Sequence, residues 1–514
     1  MSRWLLLAFL ILLALWLRYD PVVKGNLLEA DGYYWKNLSE ASFNMKLGRE
    51  TSPLRVAPSG SREDFNLHSF ITSHYSLTDF YFYEGILVAV LGVVAYYVGG
   101  FLLSGILLFT PLVIARTAIG WNDTDIYICI FSILILHNLY QRKYITAGLF
   151  ISCLALFWQS WIIFAGIAFA YWVFNDREVK SVLKLALTLA PALICSFSQI
   201  QAAFTFAPTV LSHASIHPSG LLTTAELQWS GVEKLKALLS LELIFAIGIT
   251  YFVALRKKDW FTILAIGCSV LIVTKGERFL LLVVPILGVL IYQYAKKLPN
   301  LVLYAFLIGM VVHAIPTKGL HRYLLIMDDT WHNSMQYLAS TPKNAVITSW
   351  WSPGHIITSE SKRSVVLDGG SQHLPRIFWV SRALVSRNLE ETRLILCYLA
   401  SYGDEKINQQ LAQGKPWLTI LQYMADKLFN NKPSDLIPVV KRPTYLLLYK
   451  EMILNYPSIK QVAEGFGGLY SLPPVPGMYE TVYYRLLTGE LDSILPPQYD
   501  YSDGKNAIRI WRLN

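Results

Sequence analysis

Long apolar runs recur through roughly the first 315 residues of this chain, and that repetition constrains the fold more than any single motif. Most runs approach the length that crosses a bilayer as a helix. The chain is 54% apolar and only 15% charged, where a soluble protein carries closer to a quarter charged residues. The sequence therefore predicts a polytopic α-helical membrane domain. Expected spans are Trp4–Leu17, Tyr81–Val98, Phe101–Ala115, Ile126–Leu139, Ile145–Trp158, Trp161–Phe174, Val182–Phe197, Ala237–Leu255, Phe261–Thr274, Phe279–Tyr294 and Leu301–Ile315, about eleven in all. Several fall short of about 20 residues, which tilt, a thin bilayer or flanking aromatics accommodate.

Basic residues set the orientation. Gln141-Arg142-Lys143, Asp176-Arg177-Glu178-Val179-Lys180, Arg256-Lys257-Lys258 and Lys296-Lys297 fall between alternate pairs of spans. Placing all four in the cytoplasm satisfies the positive-inside rule. The N-terminus is then cytoplasmic and the C-terminal region exterior. No small-residue cleavage pattern follows Leu17, so the first apolar segment reads as a retained span. The net charge of +9 is what basic anchoring loops produce, and no basic stripe with interleaved aromatics points to nucleic acid. Only Cys397 lies in the exterior region, which excludes a disulfide framework or a paired Cys/His zinc site there.

From about Lys318 the pattern changes. Short β-like runs (Ala345–Ser349, Ser364–Leu367, Tyr445–Tyr449, Ala507–Trp511) alternate with amphipathic helical stretches such as Leu389–Tyr402 and Trp417–Leu428. The expected organisation is a multispan domain over 1–317, interrupted by exterior loops 18–80 and 198–236, followed by a mixed α/β exterior domain over 318–514.

Three acidic elements fall on the exterior side of this topology. Asp123-Thr124-Asp125, at the end of the third span, puts two carboxylates within reach of one divalent cation, and hard oxygen ligands suit Mg²⁺ or Mn²⁺. The same residues also suit capping of the following helix. Asp31 lies just after the first span and Glu226 just before the eighth. Arg278, in Lys275-Gly276-Glu277-Arg278-Phe279, stands at a membrane boundary, where guanidinium matches diphosphate geometry or snorkels to the headgroups. In the exterior domain, Trp350-Trp351-Ser352-Pro353-Gly354 is a rigid aromatic turn, either core packing or the wall of a recognition pocket.

Taken in order, these residues resemble the single-subunit bacterial (PglB-like) oligosaccharyltransferases, related to the eukaryotic and archaeal catalytic subunit. Asp31-Gly32-Tyr33 is similar to the family's first-loop aspartate motif. Arg116 through Asp125 is similar to its R-T-x-x-G-x-x-D-T-D segment, and Thr224-Ala225-Glu226 to its mobile-loop glutamate motif. Lys275 through Phe279 is similar to its G-x-R-F segment. Trp350, Trp351 and Gly354 match its W-W-D-x-G signature, and Val366-Leu367-Asp368-Gly369-Gly370 resembles the stretch that follows. The resemblance implies a GT-C membrane domain and transfer of a glycan from an undecaprenyl diphosphate donor to the side-chain amide of Asn in an acceptor protein. It also implies a monomer in the bacterial inner membrane with its C-terminal domain in the periplasm. Asp31, Asp123 and Glu226 would be catalytic and would hold Mn²⁺ or Mg²⁺, with Asp125 in support. Arg278 and Arg116 would bind the donor diphosphate. Trp350, Trp351, Ser352, Met452 and Asn455 would bind the acceptor.

Two departures fall on acceptor reading. The signature's Asp is Ser352, and the family's M-x-x-I motif reads Met452-Ile453-Leu454-Asn455. A hydroxyl in place of a carboxylate costs on the order of 1 kcal/mol of hydrogen bonding to an acceptor hydroxyl, so an altered acceptor rule is expected. The chain is also short: one membrane segment stands between the sixth span and the Glu226 loop where relatives have three. The competing readings are a GT-C transferase with a lipid or polymer acceptor, a catalytically dead relative and a transporter. The intact carboxylates weigh against the second, and the absence of mid-span ionisable residues weighs against the third.

Overall fold

The computed structural model describes residues 3–19, 30–41, 51–59, 61–62, 67–72, 75, 77–118, 124–157, 161–195, 239–273, 278–296, 298–318, 327–369, 375–429, 442–464, 472–502 and 507–514. Its described residues form two units. Met1–Trp35, Phe65–Thr205 and Ala225–Ile326 belong to the first, Lys36–Asp64 and Met327–Asn514 to the second.

The first unit is helical. A helix stands at each apolar segment expected from the sequence: Arg3–Arg18, Leu77–Phe109, Pro111–Arg116, Asp125–Tyr140, Tyr144–Ala155, Ile162–Asn175, Val179–Cys195, Leu241–Lys257, Trp260–Val273, Arg278–Ala295 and Asn300–Ala314. Among the described residues one helical stretch, Asp79–Phe109, is both long and apolar enough to cross a membrane by itself, and the others are shorter. The boundary expected between the second and third spans, from Val98 to Phe101, is present: within Leu77–Phe109 the backbone leaves helical geometry at Gly99 and Gly100, and two helices meet there. Gly100 has φ 62°, a conformation that costs glycine little. A second break, inside the third expected span, comes at Thr110, where Pro111 lacks the N–H that would continue the helix and starts a new one.

The core of this unit is apolar, with Leu103, Ile106, Ile133, Leu136, Val284 and Val289 fully buried. Its outside is apolar too. Leu187, Phe245 and Leu301 are 77%, 71% and 80% exposed, while Ser104, Thr110 and Ser132 turn inward and hydrogen-bond helix carbonyls. In water such a surface would be costly.

The second unit carries an antiparallel pair, β1 (Thr51–Ser52) and β2 (Ser61–Arg62), and a five-stranded sheet of β3 (Val346–Thr348), β4 (Ser364–Val365), β5 (Thr444–Tyr449), β6 (Tyr499–Ser502) and β7 (Ala507–Arg512) in the order β4-β3-β5-β7-β6. β3 runs parallel to both β4 and β5. β7 is antiparallel to β5 and to β6. β5 reads Thr-Tyr-Leu-Leu-Leu-Tyr and is buried along its whole length, as a central strand covered on both faces must be. Helices Arg376–Val385, Leu389–Tyr402 and Trp417–Phe429 supply the packing layer.

The free edge of β4 is covered by residues 53–57 from the early part of the chain. Val365 N donates to Leu54 O at 2.8 Å, and Ala57 N donates to Val365 O at 2.8 Å. Arg55 locks this cover with two bonds to Asp368, Nε to Oδ2 at 2.6 Å and Nη2 to Oδ1 at 3.0 Å. Both side chains are buried. Such a strand-like cover removes the unpaired backbone groups that make an edge prone to aggregation.

Candidate functional site

In the helical unit the structure places Arg116 and Asp125 together. Arg116 closes the Pro111–Arg116 helix and Asp125 opens Asp125–Tyr140. Arg116 Nε donates to Asp125 Oδ2 at 2.8 Å, and the two side chains are 10% and 5% exposed. A charge pair this deep is held by geometry, since either charge alone would be costly among apolar helices. Arg18, noted in the sequence only as the end of a span, braces the next residue. Its Nε donates to Thr117 Oγ1 at 2.8 Å, and its Nη1 reaches Leu108 O at 2.9 Å and Ala14 O at 3.1 Å.

One turn into the same helix, Tyr127 OH lies 2.5 Å from Tyr83 OH and 3.1 Å from His68 Nδ1. Its ring stacks on Phe157 at 4.1 Å. His68 meets Trp35 edge-on, with ring centroids 5.5 Å apart. Trp35 ends the Asp31-to-Trp35 stretch, in the Ala30–Glu40 helix. One buried imidazole thus touches residues that follow two of the acidic elements, Tyr127 two places after Asp125 and Trp35 four places after Asp31. His68 carried no signal of its own in the sequence.

The remaining acidic and basic positions are placed less fully. Asp31 is the second residue of the Ala30–Glu40 helix and Arg278 the first of Arg278–Ala295, but their side chains lie outside the described residues, as do Asp123 and Glu226. Among the described residues no three His, Cys, Asp or Glu side chains converge on a point that would hold a metal. Asp125 fits a supporting place in such a set, because Arg116 fixes one of its oxygens.

In the α/β unit, β3 delivers its chain to the tryptophan pair. Trp350 is buried, Trp351 is half-exposed, and their rings meet at 64° with centroids 6.4 Å apart. The turn behind them needs glycine at 354, since a Cβ there would sit 2.4 Å from Leu367 O. His355 follows, fully buried. Burial pushes its imidazole pKa down to about 4; Asp368 opposes that shift and Arg55 reinforces it. Ser352 Oγ lies 3.0 Å from Tyr449 OH, and the Asn455 side chain opposes the burial-driven rise of that phenol's pKa. Tyr449 ends β5, is buried, and packs against Trp331 at 5.5 Å. Met452 is fully buried and Asn455 half-buried, on the turn Lys450–Asn455. Of the expected acceptor-binding residues, Trp351, Ser352 and Asn455 therefore reach the surface, while Trp350 and Met452 pack beneath it. Tyr449 was noted in the sequence only as a strand end.

The chain's fold, with its helical unit and its α/β unit, is matched by solved oligosaccharyltransferases. The archaeal oligosaccharyltransferase AglB of Archaeoglobus fulgidus, solved with an inhibitory peptide and a dolichol-phosphate, superposes over 95% of this chain and 78% of its own, with a TM-score of 0.60 at 14% identity. Its complex with zinc and sulfate aligns with a TM-score of 0.55 at 14% identity, over 89% of this chain and 70% of its own. In sequence, the dolichyl-phosphooligosaccharide-protein glycotransferase of Methanocaldococcus jannaschii is 46% identical over 156 residues, 30% of this chain. The enzyme of the same name from Methanococcus voltae is 37% identical over 99 residues, 19% of this chain. These segments span 16% and 11% of the two relatives' own lengths. No family model matches the chain. Likeness in sequence and likeness in fold thus both fall on oligosaccharyltransferases, and they support that family here.

Proposed function

We propose that this protein is a membrane-embedded oligosaccharyltransferase that moves a glycan en bloc from a polyprenyl diphosphate to the side-chain amide of Asn in an acceptor protein. The observation that carries the reading is the Arg116–Asp125 pair. It lies inside the R-T-x-x-G-x-x-D-T-D segment, in a chain whose fold is that of an oligosaccharyltransferase. The apolar outer faces of the helices support a bilayer around the first unit, with the α/β unit on the exterior side.

The residues divide the work. Asp31, Asp123 and Glu226 would hold a hard divalent cation, Mn²⁺ or Mg²⁺, and Asp125, one of whose oxygens Arg116 fixes, would support them. When bound, the cation supplies Lewis-acid stabilisation of the leaving diphosphate. Arg278, and Arg116 from its fixed position, complement the phosphate charge. Asp31 and Glu226 accept hydrogen bonds from the acceptor amide, which is a poor nucleophile until oriented and freed of part of its resonance. The amide nitrogen bonds to the anomeric carbon as the bond to the phosphate oxygen breaks, in line and with inversion. Trp351, Ser352 and Asn455 form the surface that reads the acceptor, over a base of Trp350 and Met452. The bacterial resemblance implies an undecaprenyl carrier and an inner-membrane location, whereas the names of the sequence relatives specify dolichyl.

The test is transfer in vitro by purified protein with Mn²⁺ and glycan carried on undecaprenyl or dolichyl diphosphate. Fluorescent peptides containing Asn-x-Thr, Asn-x-Ala or Gln-x-Thr serve as acceptors, with mass spectrometry to locate the sugar. Metal-dependent modification of Asn is expected. Donor turnover onto lipid or water with no peptide product would move the assignment to a GT-C transferase with a non-protein acceptor.

A further inference from the structure

We infer that Tyr449 is a positioning residue for acceptor recognition, holding Ser352 in a neutral hydrogen bond at the mouth of the tryptophan turn, with Asn455 beside it. The inference rests on the reading of that turn as the acceptor pocket. Ser352 and Asn455 lie far apart in sequence, and they are the two positions where the chain departs from the family pattern. In the structure Ser352 bonds the Tyr449 phenol, and the Asn455 side chain acts on the same phenol by opposing the rise of its pKa.

A tyrosine hydroxyl donates one hydrogen bond and accepts others, so it can serve two polar neighbours at once. Tyr449 is fully buried at the end of β5, and its ring is fixed against Trp331. Burial pushes its phenol up to about 12, which keeps the hydroxyl protonated over the working range. Ser352 and Asn455, each half-buried, are the members that an acceptor can touch. A hydroxyl and a carboxamide offer donors as well as acceptors, which a carboxylate does not. The pocket so built reads the side chain two places after the acceptor Asn through uncharged contacts, and it discriminates Thr from Ala only while the phenol fixes Ser352.

Tyr449→Phe tests this directly, because it keeps the ring and deletes the hydroxyl. Peptide affinity is measured by fluorescence anisotropy without donor, and KM and kcat separately with donor. The expected result is a roughly three- to tenfold rise in Kd and KM for Asn-x-Thr peptides, kcat held within about twofold, and a reduced Thr/Ala preference. Ser352→Ala added to Tyr449→Phe should add little, since the serine has already lost its orientation. A merely structural role would lower the active fraction and leave the Thr/Ala ratio intact. Wild-type Kd and Thr/Ala ratio in Tyr449→Phe would overturn the inference while leaving the transferase standing. Wild-type peptide affinity in Trp351→Ala would overturn the pocket and the inference together.

Discussion

The Arg116–Asp125 corner of the helical unit and the Ser352–Tyr449–Asn455 cluster of the α/β unit are both polar groups set among apolar neighbours. One runs on full charges and the other on neutral dipoles. The charged corner has few substitutes, because removing either partner strands an uncompensated charge. The neutral cluster can exchange a hydroxyl for a carboxylate and keep most of its bonds. The sequence follows the same division: the acidic segment matches throughout the oligosaccharyltransferase pattern it resembles, and the positions proposed to read the acceptor are the ones that differ. Chemistry that stabilises a leaving diphosphate leaves no latitude in charge, whereas recognition of a peptide side chain tolerates re-engineering within about 1 kcal/mol.

Four experiments would break or sharpen this contrast, taken from the largest expected effect downward. Asp123→Ala or Glu226→Ala should reduce transfer at least about a hundredfold with the protein still folded, as read by glycopeptide mass spectrometry and size-exclusion profile. Substantial activity in both would remove the charged site. Next, Arg116→Ala should destabilise the protein by on the order of 3 kcal/mol, seen as a lower thermal midpoint in detergent. Adding Asp125→Asn should recover part of that loss, and no recovery would show the pair to be dispensable.

The third concerns pH. His355 has a folded pKa of about 4, below the ordinary value near 6.5. Between those values the unfolded chain takes up a proton that the folded imidazole refuses. Stability therefore falls as pH falls from 6.5 toward 4 and levels off below that. The loss is on the order of 3 kcal/mol, and His355→Gln should flatten the slope of thermal midpoint against pH. An unaltered slope would assign the acid sensitivity to other groups. Smallest is Ser352→Asp, which should tighten Asn-x-Thr peptides by roughly fivefold. No change in Kd would move the acceptor pocket elsewhere.

How much of this was legible in the sequence depends on the distance between partners. The apolar runs gave the helical segments to within a few residues, because a helix declares itself locally. The runs at 345–349, 364–367, 445–449 and 507–511 became β3, β4, β5 and β7. β6 went unnoticed, since Tyr-Asp-Tyr-Ser is short and half-polar. Pro111 was passed over as a breaker because the residues around it stay apolar. Within the candidate sites, Asp125 and Ser352 stood out as motif positions. Their partners were harder: Arg116 is close in sequence and belonged to the same motif, but Tyr449 and His68 act through contacts 97 and 59 residues away. Such contacts leave no periodicity to read.

The cover over β4 has a consequence for how the protein is made. Arg55 and Asp368 are 313 residues apart, and ribosomes add roughly 5–20 residues per second. Arg55 therefore waits about 15 to 60 s for its carboxylate, and Leu54 and Ala57 wait nearly as long for Val365. Throughout that interval the early segment has no native sheet to join. The α/β unit is finished only when late-made strands dock against chain that left the ribosome first, so a fragment beginning at Met327 would keep all five strands but leave the edge of β4 uncovered.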